Sequence, residues 1–299
     1  MAAADPANRT AIAFAVGTLG IALFSAMDAI MKGLSLAIGA YNTLLWRTLA
    51  GVAIAGVAWV ASRSRWPGRE AMRIHLTRGI VSIFMALLFF WGLARVPLAQ
   101  GVALTFVAPL IALYLAGLLL GEKIERRAIL ASLLGFAGVL VILSGQRAAE
   151  LGPQALEGAL AILASASLYA YNIVLMRRQA LVAGPVEIAF FMNLILIVGY
   201  GLAAPFLAEV PAAQHVPSLV AAALLSFVSL LLLSWAYARA EAQHLAPVEY
   251  TAFVWAALFG FLLFAEPVRP ATLIGAAMIV AACLIAARRR PRAALEGAH

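Results

Sequence analysis

The chain has 299 residues, of which 65% are hydrophobic and only 11% are charged, and its mean hydropathy is +1.00. A soluble protein carries roughly a quarter charged residues, so this composition excludes a soluble domain and indicates a chain that crosses a membrane several times. The net charge of +8 does not indicate a nucleic-acid partner, because the basic residues stand in short clusters between apolar runs, the pattern that orients membrane helices.

Ten apolar runs follow one another along the chain, and most have the length of about 20 residues that a bilayer-spanning helix needs. They cover residues 10–36, 42–60, 79–94, 97–120, 128–144, 157–176, 186–207, 216–237, 245–264 and 270–287. Because the runs are continuously apolar rather than alternating, they predict helices and not transmembrane strands. The predicted fold class is therefore an all-α membrane protein with ten transmembrane helices.

The basic residues predict how these helices are oriented. With the N-terminus inside the cell, sixteen of the 21 Lys and Arg residues fall on the inner side, and Arg78 is among them at the start of the third run. The five on the outer side are Lys32, Arg47, Arg95, Arg147 and Arg269. Cytoplasmic loops carry the excess of positive charge, so both termini are predicted to be cytoplasmic in a bacterial-type inner membrane.

An internal repeat divides the chain into two halves. Trp91 and Glu122 recur as Trp235 and Glu266, each at an offset of 144 residues, and these residue types are scarce here. The predicted repeats are residues 1–147 and 148–299. Five helices per half is an odd number, so the second half enters the membrane from the opposite face. Inverted repeats are typical of secondary transporters, which bind substrate near the midplane where the halves meet.

Two stretches resemble the drug/metabolite transporter superfamily, in its ten-helix branch built from two EamA repeats. They are the frame from Ala94-Arg95 to Gly121-Glu122, and the segment Ala246-Pro247-Val248-Glu249-Tyr250-Thr251-Ala252 ahead of Phe264-Ala265-Glu266-Pro267. The resemblance implies a proton- or gradient-linked carrier of small metabolites, and amino acid exporters are among such carriers. It also implies that the first, third, fourth, sixth, eighth and ninth helices surround the cavity. One departure is Ala265, which stands where the first repeat has Gly121.

Signatures of enzymes and metal sites are missing from the sequence. There is no HExxH, no GxSxG and no glycine-rich phosphate loop. The four histidines are predicted to lie in loops and in the tail, without the spacing of metal ligands: His75, His215, His244 and His299. No enzyme activity, cofactor or metal is therefore expected, and a membrane-embedded lipid enzyme is the least favoured alternative.

Polar residues lie on one face of the predicted first helix and of its repeat counterpart, the sixth. Ser25, Asp28 and Lys32 follow helical spacing in the first, and Tyr169 and Asn172 do so in the sixth. Intramembrane charges cost about 2.5–3.5 kcal/mol each on insertion scales, so they usually face protein or water. We interpret the two faces as linings of one cavity, with polar contacts between helices as the alternative. Asp28 is either a site for a proton or a substrate ammonium group, or a charge that Lys32 neutralises.

Aromatic residues are predicted to line the same cavity. Phe84 and Trp91 share one face of the third helix, although a tryptophan near a membrane surface also fits an interfacial belt. Thr105 and Phe106 fall near the middle of the fourth helix, close to Pro109. Because proline lacks a backbone N–H, it predicts a bend there, which is either a hinge or a packing kink.

A proton-coupled carrier needs a group that gains and loses a proton as access alternates. Asp28 has Lys32 one turn away and is expected to stay ionised. The cation available to Glu249 is Arg239, which lies across a loop, so Glu249 is freer to bind a proton. Glu249 is therefore the preferred coupling residue and Asp28 the second, with an ion pair between Glu249 and Arg239 as the alternative.

The predicted function is export of small amphipathic metabolites by alternating access, most of all amino acids with aromatic or large apolar side chains. Aromatic rings with a few polar groups suit a zwitterion that carries an apolar side chain. Riboflavin, nucleotide-derived metabolites and cationic drugs are alternatives, because such rings with carboxylates also hold cations. The expected partners are a small-molecule substrate and the lipid bilayer. The predicted substrate-binding residues are Ser25, Asp28, Phe84, Trp91, Thr105, Phe106, Tyr169, Asn172, Ser229 and Tyr250.

Overall fold

The computed structural model describes residues 6–63, 66–120, 126–145, 154–237 and 242–287. Within these ranges the regular structure is helical, without a strand. The helices, in chain order, are α1 (Pro6–Ile38), α2 (Ala40–Ala61), α3 (Arg69–Leu93), α4 (Leu98–Thr105), α5 (Ala108–Leu120), α6 (Arg126–Ser144), α7 (Gln154–Ala180), α8 (Pro185–Leu207), α9 (Val216–Tyr237), α10 (Ala242–Phe264) and α11 (Pro270–Ala287). A 3-10 turn at Ala213–His215 precedes α9.

These helices match the ten predicted spans, with α4 and α5 together forming the fourth. In the described part of the chain, six helices are long and apolar enough to cross a membrane, and four shorter apolar helices accompany them. The all-α membrane fold predicted from the sequence is thereby confirmed.

The third span begins ten residues earlier than predicted, at Arg69 instead of residue 79. His75 and Arg78 are therefore helical, and His75 is only 1% exposed. The prediction that the histidines lie in loops and in the tail is wrong for His75, and also for His244, which lies in α10. Hydropathy places this boundary too late because it counts every charge against a membrane helix, whereas polar groups on neighbouring helices can satisfy such charges.

The fourth span is broken in the middle. α4 ends at Thr105, and α5 begins at Ala108 with Pro109 in its first turn. The ring of a proline clashes with the carbonyl four residues earlier, which for Pro109 is that of Thr105, and this explains why α4 ends there. The N–H of Phe106 donates to the Ala103 carbonyl at 3.2 Å, a tighter i→i−3 bond that closes the helix.

The helix packing follows the internal repeat. α1 packs along α9, and its repeat counterpart α7 packs along α3, which is the counterpart of α9. Two further extensive contacts, between α2 and α8 and between α6 and α11, each join helices that are counterparts of each other. α1 also packs along α10, as its counterpart α7 packs along α4 and α5. A pseudo-twofold axis between inverted halves produces this pairing. The boundary between residues 147 and 148 lies outside the described residues and stays a prediction.

Glycines allow two of these helix pairs to approach closely. A Cβ atom on Gly92 of α3 would lie 2.5 Å from the Gly158 carbonyl oxygen of α7. A Cβ atom on Gly138 of α6 would lie 2.7 Å from the Gly275 carbonyl oxygen of α11. Side chains do not fit at such distances, so small residues set the spacing of both pairs, as in other membrane helix interfaces.

Candidate functional site

Two polar clusters occupy opposite ends of the helix bundle. The Lys32 cluster lies where α1 ends and α4 begins, and comprises Lys32, Glu266 and the backbone at Val96 and Leu98. The Arg78 cluster lies near the start of α3 and the end of α7, and comprises Arg78, Asn172, Gln179, His75 and Glu187. α3 carries the chain roughly 22 Å from Arg78 to its end, at 1.5 Å per residue.

The Lys32 cluster joins three parts of the chain. The Lys32 ammonium forms an ion pair with Glu266, and it donates to the Val96 carbonyl at 2.7 Å. The ammonium also lies 5.1 Å from the centroid of the Phe264 ring, within the range of a cation–π contact. The second oxygen of Glu266 accepts a hydrogen bond from the Leu98 N–H at 2.7 Å, in the first turn of α4, where the helix dipole favours a carboxylate. The end of α1, the start of α4 and the link after α10 are thereby held together.

A sharp turn after α10 aims Glu266 at this cluster. Ala265 has φ 52°, and the Glu266 N–H donates back to the Gly260 carbonyl at 3.1 Å. A positive φ normally favours glycine, the residue that the first repeat has at the matching position. Residues 121–122 lie outside the described residues. Glu266 precedes α11 in the sequence, yet its carboxylate caps α4.

Asp28 is buried, and the cation that interacts with it is Arg47 rather than the expected Lys32. It is 7% exposed, and within the described ranges its side chain shows no hydrogen bond or ion pair. It interacts electrostatically with Arg47 of α2, whose guanidinium donates to the Ser226 hydroxyl of α9 at 2.5 Å. Lys32, which we considered as the neutralising partner of Asp28, pairs with Glu266 instead. Ser25, one turn before Asp28, is also buried.

The Arg78 cluster is a chain of hydrogen bonds across α3, α7 and α8. Arg78 donates from Nε to Asn172 Oδ1 at 3.0 Å and from Nη1 to Gln179 Oε1. The Gln179 amide nitrogen donates to Nδ1 of His75 at 2.7 Å. The hydrogen of His75 is therefore on Nε2, which donates to Glu187 Oε1 at 3.0 Å. The arrangement fixes the tautomer of His75 and the orientation of the guanidinium.

Tyr169 connects the Arg78 cluster with α10. Its hydroxyl interacts electrostatically with both Arg78 and Glu249, the latter an exposed carboxylate of α10. The neighbouring Tyr250 packs edge-on against Phe106, with the ring centroids 5.3 Å apart. Phe106 is the residue at which α4 gives way to α5, so the broken helix directs an aromatic ring at α10.

Other residues predicted for the site are engaged elsewhere. Ser229 donates to a backbone carbonyl of α1 at 2.8 Å, and Thr105 donates to a carbonyl one turn earlier in α4 at 2.7 Å. The Trp91 ring lies under the Arg95 guanidinium, 3.5 Å from its carbon atom. Phe84 is 57% exposed and stands apart from both clusters.

A cavity of about 560 Å³ opens between the start of α3 and the end of α7. Its charged lining residues are Arg69, Glu70, Arg73 and Arg178. Ile74, which also lines it, lies one turn before Arg78, so the cavity adjoins the Arg78 cluster. Three arginines against one glutamate give this cavity an excess of positive charge.

Arg78, His75 and Gln179 were not predicted from the sequence as members of a site. Arg78 was placed just before the third span, where its position on a helix face carries no meaning. A signal was present, because His75, Arg78 and Ser82 have the same i, i+3, i+7 spacing as Ser25, Asp28 and Lys32. Arg47 was missed for the same reason, since it was counted with the outer loops.

Comparison with protein families gives a match over nearly the whole chain. The model of the EamA-like transporter family matches residues 10–144 and again residues 156–288. One solved crystal structure aligns with a TM-score of 0.61 over 93% of this chain and 96% of that chain, at 22% identity. That structural similarity concerns the fold alone.

Several curated relatives carry names of transporters. The pseudopaline exporter CntI of Pseudomonas aeruginosa is 26% identical over 278 residues, which cover 89% of this chain and 93% of the relative. A riboflavin transporter of Rhizobium johnstonii is 29% identical, over 78% of this chain and 74% of the relative. An S-adenosylmethionine uptake transporter of Rickettsia bellii is 26% identical, over 71% of each chain.

Proposed function

The chain belongs to the EamA-like transporter family, and on that premise we propose that it exports small amphipathic metabolites by alternating access. Amino acids with aromatic or large apolar side chains are the proposed substrates. We place the protein in a bacterial-type inner membrane with both termini in the cytoplasm, as its distribution of basic residues predicts. Family and relatives alike are transporters rather than enzymes.

One observation carries the proposal of an amino acid substrate. A guanidinium, Arg78, and a carboxylate, Glu249, are both near enough to Tyr169 to interact with it electrostatically, and Tyr250, next to Glu249 in α10, packs against Phe106. An amino acid has the matching features, namely a carboxylate, an ammonium group and an apolar side chain. Inverted-repeat carriers bind substrate where such helices from the two halves meet.

The two ends of the bundle support a role in alternating access. The Lys32 cluster ties elements of both repeats together at one end, and a cavity opens at the other. In this proposal the break before Pro109 is the hinge of the fourth span, because proline lacks the backbone N–H that would otherwise help to hold the helix straight there. Asp28, buried beside Arg47, is the proposed second coupling carboxylate after Glu249.

A second candidate within transport is a larger aromatic solute, such as riboflavin or a nucleotide-derived metabolite. The names of two relatives favour it, since one is a riboflavin transporter and another takes up S-adenosylmethionine. Both proposals use the same cavity, so the two are distinguished by which solute the protein exchanges.

Counterflow in proteoliposomes tests the proposed function. Vesicles containing the purified chain are loaded with unlabelled solute, and uptake of the labelled solute is followed. We expect exchange of phenylalanine, tryptophan or leucine well above that of empty vesicles, and weaker exchange of riboflavin or adenosine derivatives. Exchange of riboflavin without any amino acid exchange would replace the first candidate by the second. A lipid enzyme would exchange none of these solutes.

A further inference from the structure

Arg78 is a partly buried cation whose hydrogen-bond partners among the described residues carry no charge. In the described parts of the chain, its hydrogen-bond partners are two neutral amides, those of Asn172 and Gln179, and it takes part in no ion pair. The carboxylate in its hydrogen-bond chain, Glu187, is separated from it by Gln179 and His75. A guanidinium has five N–H donors, so the second terminal nitrogen remains available.

Lys32, another intramembrane cation near an end of the bundle, differs from Arg78 in this respect. Lys32 has a carboxylate, Glu266, in direct contact. Removing a cation from water is costly unless an anion compensates it, and that cost is greater inside a membrane. Arg78 is held in place by the two amides, which bond to its Nε and Nη1 atoms. Its guanidinium is therefore oriented like that of an arginine prepared for an anion that comes from outside the chain.

The adjoining cavity provides a route for such an anion. At about 560 Å³ it has the volume of a small-molecule site, and Arg69, Arg73 and Arg178 outnumber its one acidic residue, Glu70. A cleft of one charge sign raises the local concentration of oppositely charged solutes. An anion entering between α3 and α7 would meet Arg78 one helical turn beyond the cavity wall.

We propose that Arg78 binds the carboxylate of the transported solute, and that the arginines of the cavity attract it. This rests on the proposed function, since it assigns the anionic end of the substrate to a side chain. It also sets the substrate class, because solutes lacking an anionic group should be poor substrates. Arginine suits the task, as its planar donors match both carboxylate oxygens.

The test compares each acid with its amide in the full-length protein. Phenylalanine is paired with phenylalaninamide, and phenylacetate with phenylacetamide, in counterflow and in thermal-shift binding. We expect the parent to prefer each acid by about tenfold or more, the size of a lost charge-assisted hydrogen bond. Arg78→Gln should remove this preference. Arg63→Gln, the same change at an exposed arginine that follows α2, should retain it.

A second variant keeps the guanidinium and guards against a failure of Arg78→Gln to fold. Asn172→Asp places a carboxylate 3.0 Å from Nε of Arg78, where it forms an internal ion pair and competes with the solute. We expect it to fold and to lose the preference for acids as well. A parent that binds acid and amide equally, or an unchanged preference in both variants, would overturn the role of Arg78. If the variants lose the preference for phenylacetate but the parent exchanges no amino acid, the proposed substrate is overturned and the role of Arg78 stands.

Discussion

At the scale of single residues, the charges of this bundle pair over long distances in the sequence. Lys32 and Asp28 are one helical turn apart, yet Lys32 bonds to Glu266, 234 residues away. Glu266 offers a carboxylate at the helix end, and the Val96 carbonyl adds a second acceptor. A buried ion pair contributes to stability only when its remaining hydrogen bonds are satisfied, and here both partners have further bonds. Asp28 interacts electrostatically with Arg47, and this interaction joins α1 to α2.

We expect that replacing Glu249 abolishes proton coupling. Glu249→Gln imitates the protonated carboxylate and can no longer release a proton. It should abolish accumulation of substrate driven by a pH gradient while leaving substrate exchange within about twofold of the parent.

The measurement is uptake into proteoliposomes with and without a pH gradient, beside counterflow at equal pH. Glu209→Gln serves as the control, because Glu209 is exposed and contacts α2 through its backbone. If Glu249→Gln accumulates substrate as well as the parent does, Glu249 is only a charge near the helix end.

At the scale of helices, the site depends on how α3 meets α7. Arg78 and His75 belong to α3, whereas Asn172 and Gln179 belong to α7. The two helices run close together because Gly92 and its neighbour on α7 lack side chains at the crossing. The spacing of the whole helix pair therefore depends on this crossing, which lies about 21 Å along α3 from Arg78.

Gly92→Ala tests this dependence. Its Cβ atom would lie 2.5 Å from a backbone carbonyl of α7, so the helices must move apart. We expect a loss of about 1–3 kcal/mol of stability, seen as a lower Tm in detergent, together with slower counterflow. Gly201→Ala in α8 is the matched control, since nothing lies within 4 Å of the added atom. It should be neutral or more stable by up to ~1 kcal/mol, and equal Tm values for both variants would contradict the close crossing.

At the scale of the whole molecule, the two ends of the bundle differ. The Lys32 cluster joins helices of both repeats at one end, and the cavity with Arg69, Arg73 and Arg178 makes the other end basic. Export of a cytoplasmic anion requires that the basic end face the cytoplasm. The distribution of arginines and the proposed direction of transport therefore predict the same orientation, with the basic end in the cytoplasm.

Reporter fusions check this orientation. A reporter after His299 should give a cytoplasmic signal, and one inserted after Glu209, between α8 and α9, should give an external one. Each fusion protein carries a single reporter, and its amount in the membrane is measured to control for effects of the insertion on expression. An external signal after His299 would turn the cavity outward, and uptake would then replace export as the proposed direction.

Hydropathy is a local property of the sequence, and it was sufficient for the membrane class and the ten helices. The repeat that pairs α1 with α7 followed from the recurrence of Trp91 and Glu122 as Trp235 and Glu266. Helical spacing likewise identified buried polar residues, such as Ser25, Asp28 and Asn172. It could not identify their partners, because side chains that meet between helices are separated by loops whose geometry no spacing encodes. Only the tertiary structure decided that Lys32 bonds to Glu266 and that Arg78 lies inside a helix between two amides. Both results follow from packing, which brings distant residues together in a medium where a charge without a partner is costly.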